Sequence, residues 1–250
     1  MIIDSHAHIG AMPGLFAGNA EEVLAHGDRL GFDKMFISHV GGLKYDFHEA
    51  NRELAADIRR HPDRILGYVA IPTAYFGQEA IDELLRGVEM YGMRGLKIYS
   101  QPAAGGYQTL YSIDSPGHYP LIEKAAELRC PILAHATPQE IDRVASIVPE
   151  ALLIMAHAGG MPPAYGDWQR ALAVAREHPN VYLDTTSSMV DAGYIEAFVA
   201  GVGPERVLFG TDIPLLDPAT QLSKVTDAEI DDAAKRLILG GNMTRLLEAR

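Results

Sequence analysis

Short apolar runs recur along the chain, at 1–5, 34–38, 65–71, 94–99, 131–136, 151–157, 180–185 and 206–211. Between them lie stretches where apolar residues return every three or four positions, near 19–30, 47–60, 77–91, 117–129, 138–148, 165–178, 191–201 and 227–247. The first pattern predicts strands and the second amphipathic helices. The runs 65–71 and 152–156 are apolar almost throughout, as expected of strands covered by helices on both faces of a parallel sheet. Eight strand–helix units in 250 residues average about 31 residues each, the size of a (β/α)8 TIM barrel. The fold class expected is therefore α/β, one barrel domain spanning 1–250.

Two local features support the repeat. Arg60-His61-Pro62-Asp63 and Glu177-His178-Pro179-Asn180 both end a helical stretch and lead into a strand. The proline stops the helix and the histidine suits its negative C-terminus, which accounts for His61 and His178 without a functional role. An open doubly wound sheet is the competing architecture. The chain has no Gly-x-Gly-x-x-Gly turn after the first strand, so it lacks a dinucleotide fingerprint. The longest irregular stretch, 100–116, follows the fourth strand, on the barrel face where active sites form.

Composition narrows the function classes. A hydrophobic content of 48% supports a large buried core. A net charge of −12 argues against a nucleic-acid partner, which would need a basic patch. The single cysteine, Cys130, excludes a disulfide within the chain and reads as a small buried hydrophobe. No run approaches the roughly 18 apolar residues of a membrane helix. The N-terminus shows no basic region followed by a cleavable apolar stretch. A soluble cytoplasmic protein is expected, with no membrane partner.

Polar, chemistry-bearing residues collect at the ends of the predicted strands. His6 and His8 close the first run, and residues two apart on a strand point to the same side. Two converging neutral imidazoles suit a divalent transition metal, zinc above all. Lys97 lies in the fourth strand, His135 ends the fifth, His157 the sixth and Asp212 the eighth. A barrel brings all of these to one mouth, and an unpaired lysine inside an apolar strand is costly enough to demand a partner there. His39 ends the second strand and is expected to line the pocket. His118 opens the helix after the long loop, where capping and substrate contact are both open. His26 and His48 fall within helical stretches and read as surface or packing residues.

At these residues the chain resembles the amidohydrolase superfamily, specifically the amidohydrolase-2 family. The resemblance rests on Asp4-Ser5-His6-Ala7-His8, Gly95-Leu96-Lys97-Ile98, Ala134-His135-Ala136 and Ala156-His157-Ala158-Gly159-Gly160. It continues in Asn180 to Thr185, in Phe209-Gly210-Thr211-Asp212-Ile213-Pro214 and in the closing stretch Gly240 to Leu247. It implies a divalent metal, commonly zinc, held by His6, His8, His135 and Asp212, with His157 as a second-metal ligand or an acid/base residue. In binuclear members the strand-four lysine is carbamylated and bridges two metals. Here the mononuclear version is preferred, with Lys97 unmodified. The resemblance leaves a homo-oligomer open.

The chemistry expected is hydrolysis of a small-molecule amide, lactone or ester by a metal-activated water, with Asp212 moving the proton and His157 polarising the carbonyl. The same ligands serve a non-oxidative decarboxylase or a hydratase of aromatic or unsaturated acids, which is the alternative. For an anionic substrate, Arg94 and Arg170 are the candidate carboxylate partners. Tyr99, Gln101 and Tyr107 after strand four are candidate pocket residues, as are Asp184, Thr185, Ser187 and Ser188 after strand seven. A metal-dependent barrel nuclease also begins with His-x-His, but the acidic chain and a lysine at strand four speak against it. A barrel kept only for binding would need a broken site, and no ligand position is missing.

Overall fold

Residue parity along each strand decides what faces the barrel axis. The computed structural model describes residues 1–43, 46–100, 111–159, 168–187 and 193–248. Its strands are β1 (Ile3–Met12), β2 (Phe16–Gly18), β3 (Lys34–His39), β4 (Ile65–Pro72), β5 (Gly95–Tyr99), β6 (Ile132–His135), β7 (Leu153–Met155), β8 (Val181–Asp184) and β9 (Val207–Leu208). β1 and β3 through β9 run parallel in chain order, and β2 folds back antiparallel on β1. The ring closes from the segment after β9 onto β1. Ser5 N donates to Phe209 O (2.9 Å), Asp212 N to His6 O (2.6 Å) and His8 N to Ile213 O (2.8 Å).

Ten helices cover the sheet among the described residues: α1 (Ala20–Leu30), α2 (Phe47–Arg60), α3 (Gln78–Glu89), α4 (Tyr119–Glu127), α5 (Pro138–Ile147), α6 (Trp168–Glu177), α7 (Tyr194–Val202), α8 (Pro218–Thr226), α9 (Asp232–Arg236) and α10 (Asn242–Glu248). One face of the strands builds the large core beneath these helices, through residues such as Ile37, Val69, Ile98, Ile132 and Leu183. The other face points inward. Ile3, Phe36, Tyr68, Leu133, Ile154 and Leu208 form a separate inner cluster, closed by Met243 and Leu246 of α10. Two apolar faces on each strand explain the near-continuous runs in the sequence.

The expected barrel is the fold observed, with three local departures. β1 extends to Met12 and turns into the β1–β2 hairpin. α8 was not expected from periodicity, although Asp217 caps it by accepting from Thr220 N (2.7 Å) and Pro218 opens it. The expected helix over 227–247 is α9 and α10 joined by a π-helical turn at Leu237–Gly241. Gly240 passes so close to the N-terminus that a Cβ there would lie 2.5 Å from Met1 O, which fixes the course of the chain at that turn. No helix among the described residues is long and apolar enough to cross a membrane.

Candidate metal centre

The inward parity that puts Phe36 and Tyr68 in the barrel core puts His6, His8, Ser38, Lys97, Tyr99 and Asp184 on the axis one layer further toward the strand ends. His6 and His8 are fully buried, and their Nε2 atoms lie 3.2 Å apart. Asp212 Oδ1 is 3.0 Å from His8 Nε2 and 3.5 Å from His6 Nε2. Three ligands on a tetrahedral ion at ordinary zinc distances stand about 3.3 Å apart. The observed spacings match that figure.

The tautomers point the same way. His6 Nδ1 sits 2.8 Å from Asp184 Oδ2, and a carboxylate there can only accept. Nδ1 therefore carries the proton and Nε2 presents a lone pair to the centre. His8 Nδ1 lies 2.8 Å from Ser38 Oγ, which turns its Nε2 to the same point. Burial, and then the charge of Lys97, push the His6 pKa well below its ordinary value. Burial also lowers His8, against the pull of Asp212, and brings His157 down to about 4. All three imidazoles are thus neutral near neutral pH, the form that binds metals. Burial opposes ionisation of Asp212, but the His8 hydrogen bond and the electrostatic pull of the neighbouring His157, His8 and Lys97 outweigh it and hold the carboxyl below its usual range. Its second oxygen, Oδ2, and His157 Nδ1 are buried with no hydrogen-bond partner among the described residues. Convergent lone pairs around an unsatisfied carboxylate oxygen are what a divalent cation would satisfy, so the residues fit one.

A second group, His6, His157 and Asp184, is also close enough to hold an ion. Its chemistry fits less well. Asp184 Oδ2 already accepts from the backbone N of His157 (3.0 Å) and faces His6 Nδ1, while Oδ1 accepts from Thr186 N (3.0 Å) and Thr186 Oγ1 (2.8 Å). Asp184, named from sequence as a pocket residue, lies beneath the centre and orients it. Carboxylate partners of this kind fix the ring and tautomer of a ligating histidine. Burial raises the Asp184 pKa to about 6, against the hydrogen bonds from His157 and Thr186.

Two residues of the centre are held in left-handed backbone. His157 has φ 60° and Asp212 φ 58°, conformations costly for a side chain with a Cβ and found where surrounding contacts impose them. Asp4 supplies part of that constraint. It is fully buried, its Oδ1 accepts from His6 N (3.0 Å) and Thr211 N (3.0 Å), and its Oδ2 accepts from Thr211 Oγ1 (2.6 Å). The first strand and the Asp212 turn are thereby locked together. Burial moves the Asp4 carboxyl up to about 8.

Lys97 Nζ lies 3.0 Å from His6 Nε2 and 4.6 Å from the centre of the Tyr99 ring. Burial lowers its pKa to about 7, despite the nearby Asp212 and Asp184. Tyr99 OH is 3.3 Å from His8 Nε2, and the Tyr99 ring packs 4.9 Å from that of His135. The His135 ring is 4.7 Å from the His157 ring, which is 4.8 Å from that of His6. The barrel thus gathers His6, His8, Lys97, Tyr99, His135, His157 and Asp212 in one place.

Other sequence expectations are corrected by position. His39 does not line the mouth. Ser38 points inward to His8, so His39, one residue on, points outward to α2, where Nε2 lies 3.1 Å from Glu53 Oε2. Arg94 precedes β5 and is exposed at the N-terminal end of the barrel, opposite the centre. The expectation for Arg170 is not corrected in this way, since it stands exposed in the first turn of α6, beside Gln139 in the first turn of α5. His118 is buried and donates from Nε2 to Thr73 O (2.9 Å), tying the start of α4 to the end of β4. Gln101, Tyr107 and Ser188 lie outside the described residues. Sequence reasoning missed Ser38 and Phe16, whose ring stacks on His8 at 6.4 Å. The signal for Ser38 was its place at the inward parity of β3. Phe16 gave none, because the hairpin that carries it was not expected.

The amidohydrolase (amidohydrolase-2) family model matches residues 3–249. The chain belongs to the amidohydrolase family. Among solved structures, the chain is similar to 2,6-dihydroxybenzoate decarboxylase from Rhizobium, with 18% identity, TM-score 0.77, and 99% and 98% of the two chains covered. A dihydroxybenzoic acid decarboxylase from Polaromonas, solved with bound manganese, matches at 16% identity, TM-score 0.77 and 99% and 96% coverage. A probable 2-pyrone-4,6-dicarboxylic acid hydrolase from Acinetobacter baumannii matches at 16% identity, TM-score 0.69 and 99% coverage of both chains. These likenesses establish the barrel fold.

Proposed function

We propose that the chain is a divalent-metal-dependent hydrolase of a small-molecule lactone, ester or amide, with His6, His8 and Asp212 holding the ion and His135 and His157 beside it. Zinc suits this nitrogen-and-oxygen donor set. The observation that carries the reading is the divided role of Asp212. Its Oδ1 faces the two imidazoles, and its Oδ2 is buried without a hydrogen-bond partner among the described residues. A bound divalent cation polarises a carbonyl and brings the pKa of a water molecule to about 7.

In this reading Asp212 Oδ2 takes the proton of the attacking water. The water oxygen bonds to the acyl carbon, the bond to the leaving oxygen or nitrogen breaks, and the Asp212 carboxyl returns the proton to the leaving atom. His157, neutral because burial lowers its pKa, offers a ring N–H to the carbonyl oxygen as charge develops on it. Asp184 holds the His6 ring and the His157 backbone in place throughout. The single cysteine, buried Cys130, accords with a reducing, cytoplasmic setting.

The test is a panel of lactones, esters, amides and dihydroxybenzoates with protein reconstituted in zinc or manganese, scoring hydrolysis and CO₂ release together. Hydrolysis that is lost on chelation and in folded Asp212→Asn supports the proposal. The neighbours from Rhizobium and Polaromonas are named as decarboxylases. CO₂ release with no hydrolysis would replace hydrolysis by non-oxidative decarboxylation at the same centre.

A further inference from the structure

The direction of the Asp212 carboxylate decides what it can do, and that direction comes from an unusual backbone. Oδ1 lies 3.0 Å from His8 Nε2 and 3.5 Å from His6 Nε2, while Oδ2 is buried with no hydrogen-bond partner among the described residues. Asp212 reaches this arrangement from a left-handed φ of 58°. A residue with a Cβ prefers negative φ, and a return to it would swing the Cα–Cβ bond away from the two imidazoles. Contacts around the turn must hold it against that preference.

Thr211 supplies two of them with one atom. It is fully buried, and its hydroxyl donates to Asp4 Oδ2 (2.6 Å) and accepts from Ile213 N (3.2 Å). The side chain thus spans Asp212, joining the amide that follows it to a carboxylate on β1. Asp4 Oδ1 accepts from His6 N (3.0 Å) and Thr211 N (3.0 Å), so the same carboxylate sets the backbone of a β1 histidine and of the Asp212 turn. Ring closure has separate bonds. Asp212 N donates to His6 O (2.6 Å), His8 N to Ile213 O (2.8 Å) and Leu215 N to Asp212 O (2.9 Å), none of which uses the hydroxyl.

We propose that Thr211 is a positioning residue for Asp212, its hydroxyl fixing the direction of the carboxylate from between Asp4 and the Ile213 amide. This rests on the metal ligands proposed above and reaches a residue outside their set. Without the hydroxyl, Asp4 Oδ2 and Ile213 N lose this partner in a buried turn, an unfavourable state that movement of the turn relieves. Oδ1 then leaves its place against His6 and His8. A hydroxyl of purely structural worth would change stability and leave the ligand direction as it is.

Thr211→Val deletes the hydroxyl and keeps the branched shape, and Thr211→Ser keeps the hydroxyl. Zinc affinity is measured by competition with a chromophoric chelator, and the visible spectrum of the cobalt(II)-loaded protein reports ligand geometry. Neither readout requires turnover, so both stand apart from which bond the enzyme breaks. Folded Thr211→Val is expected to bind zinc about 10–100-fold more weakly, the usual loss when a partner that orients a ligand is removed, and to show an altered cobalt spectrum. Thr211→Ser is expected to restore both. Thr211→Ala, which places no methyl against the Asp4 carboxylate, provides the comparison if Thr211→Val fails to fold. Unchanged affinity and spectrum in a folded hydroxyl-free variant, failure of Thr211→Ser to restore them, or loss of folding in both hydroxyl-free variants assigns Thr211 a structural role, overturning the proposal and leaving the metal centre standing. Absence of stoichiometric zinc or cobalt binding by the unaltered protein overturns the centre itself and this proposal with it.

Discussion

His6 Nδ1 lies 2.8 Å from Asp184 Oδ2, and this one contact decides which nitrogen of His6 faces the centre. The two residues are separated by 178 positions in sequence and are both fully buried. An acceptor-only carboxylate on Nδ1 forces the lone pair to Nε2, where His8 and Asp212 converge. The same oxygen accepts the backbone N–H of His157, so one carboxylate orients two residues of the centre.

Asp184→Asn tests that coupling. An amide can donate to Nδ1, which allows the proton to move to Nε2 and removes the lone pair from the centre. Affinity for zinc or manganese, measured by competition with a chromophoric chelator, is expected to fall about 10–100-fold, the usual effect of removing such a partner. A folded variant that binds metal as tightly as the unaltered chain would refute the orienting role.

Lys97 is expected to be an unmodified amine, with about one metal ion per chain, as one set of His6, His8 and Asp212 with an open position for water provides. Asp184, the carboxylate that a second ion would need, is already saturated by N–H and O–H donors. Intact-mass and peptide spectrometry under carbon dioxide, together with metal analysis, check this. A carbamate on Lys97 accompanied by two ions per chain would establish a binuclear centre instead.

Gly210→Ala should disturb the centre from behind. A Cβ there would lie 2.4 Å from Asp184 Oδ1, 2.5 Å from Thr186 Oγ1 and 2.8 Å from His6 Cβ. Overpacking of this kind costs about 1–3 kcal/mol. Urea unfolding should show that loss, and metal affinity should fall with it because Asp184 and His6 must move. Unchanged stability and affinity would mean that the space is not as tight as described.

His39 is expected to make stability pH-dependent although it is outside the centre. Its Nδ1 accepts from Gly41 N (3.1 Å), and burial lowers its pKa from 6.5, against the pull of Glu53 and Asp57. Below pH 6.5 the unfolded chain binds a proton that the folded chain resists, so stability falls as pH drops until the folded-state pKa is reached. His39→Gln should lose less stability than the unaltered chain between about pH 7.5 and about pH 5.5, the range over which histidine titrates. Parallel losses in urea midpoints would assign the acid sensitivity to other groups.

The strands were legible because burial on both faces makes each run almost wholly apolar, and the run positions agree with β3, β4, β5 and β6 to within a residue or two. The ring closure places His6, His8, Lys97, His135, His157 and Asp212 together as the strand ends implied. The β1–β2 hairpin was hidden because Gly10 to Gly18 carries no alternation, and it brought Phe16 to His8 unannounced. His39 and Arg94 were misplaced for different reasons. Proximity to a strand end does not reveal parity, which sent His39 outward, and Arg94 stands at the entry of β5, not its exit.

Sequence alone determined the alternation of strand and helix, the barrel, and which residue types collect at the strand ends, because those follow from local periodicity and from topology. Only the tertiary structure decided that His6 and His8 meet Asp212 at ligand spacing, that Asp184 sets the His6 tautomer, and that the Phe16 and Tyr99 rings pack beside His8. Those relations depend on side-chain direction and on contacts between positions up to about two hundred residues apart, and no local pattern in a chain encodes them.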